Sequence, residues 1–580
     1  MGVSDNFHGL TEDMSMENRN QPTLITGALV GLLLAAPLVA IFYLAAQVIG
    51  TPFVPFDVFD WVGRVLPGGI LTFGIDTIVS VIRTFNLGET SSAAKAAEQL
   101  LAILGLVATG VLVGAVLFEA LRRNVVKGSY IAGLVAGLVV GVPVMFISRA
   151  VNQTASTSPL VSAAWIILAF AAWGVLLNWV YDRLAGQTNA AAVLNPAAAT
   201  PVYEGAGAPV GMGGDSVQPI DRRRFLVTVG GASAAITVVG AGLGALLGRG
   251  IAESSGTDST ALSSSGEAWS SSNPLPNADA TVLPAPGTRP EFTLVKDHYR
   301  IDINTLPPAI KESDWQLEFT GLVEEPVNMK LAELRDNYTP MDQFVTLACI
   351  SNPVAGDLIG TTLWTGVPLR DILKDVKLKP EATHLRITSV DAFDEVIDLE
   401  TVMNDERVTL NYAWDGQPLT TSHGFPLRIY IPNHYGMKQP KWITSIEAIP
   451  AWEEGYWVRR GWDKDAVMRV TSVIDTVAVD DLVTVGDQQF VPVGGVAHAG
   501  DRGISRVQVR VDDNDFVDAA LRTPMADTTW VIWRYDWPFE AGSHTFTVRS
   551  VDGDGNAQIE TVVGVRPSGA TGLHSMSASA

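Results

Sequence analysis

"YAWDGQPLTTSHGFPLRIYIPNHYGMKQPKWITSIEAIP", residues 412–450, sets His423, Arg428, Lys438 and Lys441 among Gly416, Gly424, Gly436 and several prolines. Glycine lets backbone N–H groups come close to an anion, and cationic side chains on such loops suit a phosphate-bearing ligand. The setting sharpens the signal, because the 580-residue chain carries a formal charge of −22, nearly all of it after residue 250. Against such a background a knot of positive charge points to an anionic ligand, or to loop charges paired with nearby Asp and Glu. Residue types alone leave both readings open.

Around this stretch, short β-branched and aromatic runs alternate with Gly, Pro, Asn and Asp turns: "WQLEFTGLV", "FVTLAC", "HLRITSV" and "LRIYIP". Helical pieces intervene at 328–336 and 367–375, so residues 291–466 are expected to form a mixed α+β domain. Residues 467–567 read almost wholly as strands ("VQVRVDD", "WVIWRYDW", "SHTFTVRSVDG"), with turns spaced as in an immunoglobulin-like β-sandwich, followed by a tail at 568–580. No internal repeat is evident.

The first half has a different character. Uncharged or nearly uncharged apolar runs at 24–48, 99–118, 130–148, 160–181 and 225–247 are long enough to cross a bilayer, which takes about 20 residues. The basic clusters Arg122, Arg123 and Lys127, then Arg183, then Arg222–Arg224 fall in loops that the positive-inside rule assigns to the cytoplasm. This predicts a cytoplasmic tail at 1–22, a membrane domain at 23–184, and everything after the span in 221–250 outside. The segment 61–85 carries Arg64, Asp76 and Arg83 in an apolar pattern and is expected to lie in the interface or re-enter it. "DRRRFL" at 221–226 resembles a twin-arginine export signal, although a basic flank would look similar. Linkers are expected at 185–220, rich in Ala, Gly and Pro, and at 251–290, rich in Ser and Pro.

"FVTLACISNPVAGDLIG" (344–360) holds Cys349, the only cysteine. A single thiol excludes an internal disulfide and a cysteine-ligated iron–sulfur cluster within the chain. It is either a small buried hydrophobe or a thiolate ligand or nucleophile. None of the eight histidines lies in an apolar run, which excludes a bis-histidine haem there. The acidic charge argues against nucleic acid as a partner.

Taken together, residues 291–567 resemble the sulfite oxidase family of molybdopterin-dependent oxidoreductases. The carriers are "DGQPLTTSHGFPLRIYIPNHYGMKQPKW", "LACISNPVAGDLIGTTLWTGVPLRDIL", the leading "HYRIDINTLPPAI", "WQLEFTGLVEEPV" and, in the last part, "GVAHAGDRGISRVQVRVDD", which is similar to the family's dimerisation domain. The resemblance implies a molybdenum–molybdopterin cofactor. It makes Cys349 the thiolate ligand of the metal, and His423, Arg428, Lys438 and Lys441 the holders of the pterin and its phosphate, with Tyr299, Arg300 and Asn352 beside them. The run Cys349-Ile350-Ser351-Asn352-Pro353 departs from the Cys-Gly-Asn-Arg-Arg of sulfite-oxidising members, which puts sulfite in doubt as substrate. Phe393 falls near a position where members carry a tyrosine, and Arg459 and Arg460 are further candidates for anion binding.

The expectation is therefore a multi-domain chain: an all-α transmembrane bundle, an α+β molybdopterin-binding domain and an immunoglobulin-like sandwich. It is expected to be a membrane-anchored, extracytoplasmic oxidoreductase that acts on a small-molecule substrate and exchanges electrons with a separate carrier. Its fold allows a homodimer. The alternative is a non-catalytic membrane receptor or scaffold that retains the fold.

Overall fold

The computed structural model describes residues 21–126, 130–193, 222–255 and 268–580. Most of the expected tail at 1–22, Lys127, most of the linker at 185–220 and residues 256–267 of the linker at 251–290 lie outside the described residues. The chain forms two compact units, Met1–Arg64 with Glu98–Ser255, and Val65–Ala97 with Gly256–Ala580.

Helices dominate the first unit: α1 (Leu24–Ile49), α2 (Val54–Val65), α4 (Thr90–Arg122) from Glu98 on, α5 (Tyr130–Val151), α6 (Pro159–Val193) and α7 (Arg222–Ser255), while α3 (Gly68–Thr84) and the start of α4 to Ala97 belong to the second. Five of the described helices are long and apolar enough to cross a membrane, over Leu24–Ile49, Thr90–Arg122, Tyr130–Val151, Pro159–Ala185 and Arg224–Leu246. The start of α1 is set by Thr23, whose hydroxyl accepts from the Thr26 N–H, and its end by Gly50 in a left-handed conformation. Phe42, Phe118, Phe170, Trp173 and Leu177 form the core of this unit.

Two helix pairs approach closely through glycine. On α5, a Cβ at Gly133 or Gly137 would run into the carbonyl oxygens of Gly174 or Phe170 on α6. On α1, Gly27 and Gly31 meet Gly114 and Gly110 of α4 in the same way. Small residues of this kind let helix backbones touch. Gly137→Leu is therefore expected to destabilise the first unit by about 2 kcal/mol or more, since the carbonyl of Phe170 cannot move aside as a side chain could. Thermal unfolding of the detergent-purified chain reads this, and an unchanged midpoint would rule out the tight α5–α6 contact.

In the second unit, Pro67 separates α2 from α3, as expected of a residue that disfavours helix immediately before it. Segment 65–97, part of which reads from sequence as an interfacial stretch, packs with the later residues. Asp76 pairs with Arg566 at 3.0 Å, and Gly68 lies against the Arg460 backbone. Beyond it come four sheets. The first runs β2 (Val327–Met329), β1 (Leu317–Gly321), β10 (Ile443–Ile449), β5 (His384–Ser389), β6 (Asp394–Asp398), with β1 and β10 parallel in the register Glu318↔Ser445. In the second, β3 (Met341–Ala348), β4 (Ile359–Pro368), β7 (Thr409–Trp414) and β8 (Gln417–Pro418) follow in order, and β9 (Arg428–Tyr430) pairs with β7. Leu317, Phe319, Leu385, Ile387 and Ile446 of the first sheet share one core with Val367, Leu410 and Ile429 of the second.

The last part has two further sheets. One is β11 (Thr471–Val477), β13 (Gln488–His498), β17 (Val531–Pro538), β16 (Ala520–Leu521), with β12 (Val483–Val485) on β13. The other is β15 (Val517–Asp518), β14 (Ile504–Val511), β18 (Ser543–Asp552), β19 (His574–Ser579). Val491, Val493, Trp533 and Trp537 of one sheet bury against Val507, Val509, Phe546 and Val548 of the other. The alternation of buried and open positions along β14 and β18 produces this face-to-face packing.

Candidate functional site

β3 ends at Ala348, which pairs with Ile359 of β4, so residues 349–358 are the link between the two strands and Cys349 is its first residue. The link is braced from inside. The Cys349 N–H donates to the Leu358 carbonyl at 3.0 Å, the Asn352 N–H to the Cys349 carbonyl at 3.0 Å, and the Leu358 N–H to Asn352 Oδ1 at 3.0 Å. Cys349 Sγ lies 3.0 Å from Ser351 Oγ. Burial pushes the thiol up, opposed by hydrogen bonds from the hydroxyl and backbone of Ser351. A thiol held protonated in this way becomes a thiolate when a metal ion takes the proton's place.

A second group assembles from the leading loop and the segment after β8. The turn Thr421–His423 ends at Gly424, whose φ is +117°. A side chain there would press on the stems of both Arg428 and Lys441, so glycine lets the two cations stand together. Arg428 Nη1 donates to the His423 carbonyl at 3.1 Å, and its guanidinium lies 4.6 Å from the Trp364 ring centre. Lys441 Nζ donates to the Ser422 carbonyl at 3.0 Å and to Asp302 Oδ2 at 3.2 Å. Arg300 Nε donates to the same carboxylate at 2.7 Å. His423 Nε2 faces the carbonyls of His298 and Tyr299 at 3.2 and 3.3 Å, so it carries the proton. The rings of Trp364 and Trp414 lie 5.5 Å apart, with His423 4.5 Å from Trp414.

The electrostatics of this cradle are unbalanced. Burial lowers Arg428 to about 10 and Lys441 to about 8, and takes His298 down to about 4. Burial alone would raise the Asp302 carboxyl, but the charges of Lys441, Lys95 and Arg300 hold it well below the usual range. One carboxylate thus serves several buried cations, and Arg428 Nε and His298 Nε2 have no hydrogen-bond partner. Buried charge without a partner is costly. What the cradle lacks is an anion with acceptor oxygens.

The structure brings together Tyr299, Arg300, His423, Arg428 and Lys441. Cys349 joins them through Tyr299, whose hydroxyl is raised well above its usual range by burial and the nearby thiol. Asn352 braces the loop after Cys349. Lys438 does not join the cradle: its buried ammonium donates to Glu395 at 2.6 Å and to the Val396 carbonyl at 3.0 Å, because a charge so enclosed needs a carboxylate of its own. Arg459 pairs with Asp394, Arg460 lies over the Tyr456 ring, and Phe393 packs on that same ring. Sequence reasoning passed over His298 and Asp302, although one precedes the named pair Tyr299 and Arg300 and the other follows it by two residues.

It also passed over a cleft beside Cys349. Ala348, Asn352, Tyr435, Arg469 and His498 line it. Burial takes His498 down to about 3, and its Nε2 has no hydrogen-bond partner. Arg289, also on the cleft, is neutralised by Asp475 at 2.6 Å. Arg469 and His498 lie far apart in sequence from Cys349; His498 stands in the quoted "GVAHAGDRG" stretch, but nothing local links either residue to the cysteine.

The family model described as "Oxidoreductase molybdopterin binding domain" matches residues 304–457. Residues 304–457 are thus similar to the molybdopterin-binding domain of such oxidoreductases. Among curated relatives, nitrate reductase (NADH) 2 of Phaseolus vulgaris is 26% identical over 277 residues, covering 39% of this chain and 31% of the relative. Nitrate reductase (NADPH) of Fusarium oxysporum is 31% identical over 153 residues, covering 23% and 17%. The chain spans about three-tenths of the length of the first of these relatives. Sulfane dehydrogenase SoxCD of Paracoccus pantotrophus matches in structure with a TM-score of 0.44 at 18% identity, covering 51% of this chain and 86% of that one.

The family's cofactor is molybdenum–molybdopterin, and the residues present fit it. The orphaned Arg428 Nε and His298 Nε2 and the surplus of buried cations suit a phosphate-bearing pterin. A buried thiol beside Tyr299 suits a metal that prefers sulfur donors.

Proposed function

We propose that this chain is a membrane-anchored molybdenum–molybdopterin oxidoreductase whose catalytic domain faces away from the cytoplasm. When bound, the cofactor supplies oxygen-atom transfer coupled to a change in the metal's oxidation state. Arg428, Lys441, Arg300 and His423 hold the pterin and its phosphate, and Cys349 is the protein's ligand to molybdenum. The observation that carries this reading is the cation-rich, under-satisfied cradle around Arg428 and Lys441, close to the buried thiol. The face-to-face sheets after residue 467 are the immunoglobulin-like module of the family and offer a surface for a homodimer. With no histidine pair in the apolar runs to hold a haem, electrons pass to or from a separate carrier, which the acidic outer surface would steer if that carrier is basic.

The five apolar helices and their basic flanks support anchoring with the domain outside, and Arg222–Arg224 supports export of a folded, loaded domain. A reporter fused after residue 260 that works only in the cytoplasm would overturn this orientation. Substrate reaches Cys349 through the cleft of Tyr435, Arg469 and His498, where a cation and a neutral imidazole suit a small oxyanion or the oxygen of an S- or N-oxide.

The decisive experiment is metal and pterin analysis of the purified full chain, followed by a substrate screen that starts with sulfite and nitrate. Near-stoichiometric molybdenum and pterin are expected, and their absence from chain produced in a molybdopterin-competent host would sink the enzyme reading. Arg469→Ala is expected to raise KM for an oxyanion about tenfold or more with a smaller change in kcat, the loss of one charge-assisted contact. An unchanged KM would remove Arg469 from the substrate path.

A further inference from the structure

Asp302 is the hub of the cradle, and one of its cations comes from far away in the chain. Lys95 Nζ donates to the carbonyls of Asp302 and Asn304, each at 2.9 Å, and lies 3.4 Å from Asp302 Oδ1. The ammonium is nine-tenths buried, at 10% side-chain exposure, and Asp302 is at 2%. Lys95 sits in the opening turns of α4, within the segment 65–97 that packs with the later residues. That segment meets the other half of the site as well. At the first residue of α4, the Thr90 N–H donates to Asp357 Oδ2 at 2.7 Å, and Asp357 lies in the link that begins at Cys349. A carboxylate at a helix N-terminus is favoured by the unpaired N–H groups there.

The geometry of the second ion pair matters too. Lys441 binds Oδ2 of Asp302 at 3.2 Å and Lys95 faces Oδ1 at 3.4 Å, while Arg300 spans both, Nε on Oδ2 at 2.7 Å and Nη2 on Oδ1 at 3.3 Å, and the Asn304 N–H donates to Oδ1 at 3.1 Å. Lys95 thus joins the Oδ1 side of the carboxylate to the main-chain carbonyls of both 302 and 304. Its ammonium adds to the hold of Arg300 and the Asn304 N–H, and so keeps Asp302 placed as the shared partner of Lys441 and Arg300. Without it, Asp302 keeps fewer contacts and the two cations a less fixed partner.

We propose that Lys95 is a positioning residue for cofactor retention: it locks Asp302 so that Lys441 and Arg300 are presented to the anionic end of the pterin. The stretch joining the first two apolar spans is thus a working part of the cofactor site. This inference rests on the reading of the cradle as the pterin site.

The test uses the full chain in detergent, with molybdenum by elemental analysis and pterin by fluorescence after oxidation, both per chain and after gel filtration. Lys95→Met and Lys95→Gln are expected to lower retained cofactor about tenfold or more, the range typical when an outer partner of a bound group is lost. Lys95→Gln still offers donors to the two carbonyls, so its loss isolates the charge facing Asp302. Lys95→Arg, which keeps that charge, is expected to restore most of it. Asp76→Asn, which breaks the segment's exposed pair with Arg566, is expected to retain cofactor like the parent. If the parent holds no cofactor, the pterin reading itself fails. If the parent is loaded and Lys95→Met and Lys95→Gln are loaded equally, or if Asp76→Asn loses as much as they do, the role of Lys95 is refuted. Thermal midpoints of all variants are read alongside. Loss of cofactor at an unchanged midpoint supports positioning, and loss only in proportion to a collapsed midpoint counts against it.

Discussion

Replacing Cys349 with serine is expected to abolish turnover while leaving the fold in place. The thiol sits at the start of a link held by main-chain hydrogen bonds and by Asn352, none of which uses sulfur. A hydroxyl is slightly smaller and fills the same buried space, so thermal unfolding of the second unit should change little. The chemistry should not survive. A serine oxygen is a harder donor than a thiolate and is not readily deprotonated in a buried setting. Loss of the protein's own ligand should exceed the 10- to 100-fold that typically follows loss of a residue behind a ligand. Pterin content should be largely kept, because the cradle of Arg428 and Lys441 holds that part independently. A Cys349→Ser chain that is loaded and turns over like the parent would exclude sulfur ligation.

The second large effect is expected at Lys441. Lys441→Met removes the cation that reaches both Asp302 and the Ser422 carbonyl, and it leaves Asp302 with less compensation in a buried place. Loading with molybdenum and pterin should fall by about tenfold or more, as loss of a buried charge-assisted contact would produce. The same residue gives the site a pH dependence. Burial brings Lys441 from 10.5 to about 8, despite the neighbouring Asp302 charge. Above about pH 8 the cradle loses this positive charge, so capture of the anionic cofactor by the empty chain should weaken as pH rises. Folding responds in the opposite sense. Between about 8 and 10.5 the unfolded chain holds the lysine proton that the folded one has released, so this group's contribution to stability rises with pH. Reconstitution measured from pH 6.5 to 9.5 should bend near 8, and in Lys441→Arg the bend should vanish. A flat profile in the parent would exclude titration of this lysine.

Legibility from sequence followed the range of the interactions involved. Apolar length alone marks the long helices, since each is a continuous run that no tertiary contact needs to explain. The cysteine segment and the segment around His423 and Arg428 are legible because those residues stand in short ordered motifs whose glycines and prolines set local backbone shape; that they serve one cofactor is part of the proposal. Lys438 shows the limit. Three residues from Lys441 and of the same type, it points to Glu395, and only the packing of β6 against the turn at Gly436–Lys438 decides that. Arg469, His498 and Lys95 lie beyond the same limit, because each reaches its site through contacts between residues far apart in the chain. Segment 65–97 is apolar enough to be grouped with the spans, yet its polar residues Asp76, Thr90 and Lys95 have partners in the second unit.

The tryptophans of the cradle give the protein a built-in optical gauge. Trp364 and Trp414 are fully buried, stand 5.5 Å apart and flank Arg428 and His423. Their indoles absorb and emit beside Arg428 and His423, and a pterin held there as proposed would accept their excitation. Filling of the site should therefore dim the chain's own emission, so that occupancy can be followed in real time without a label and before any substrate is known.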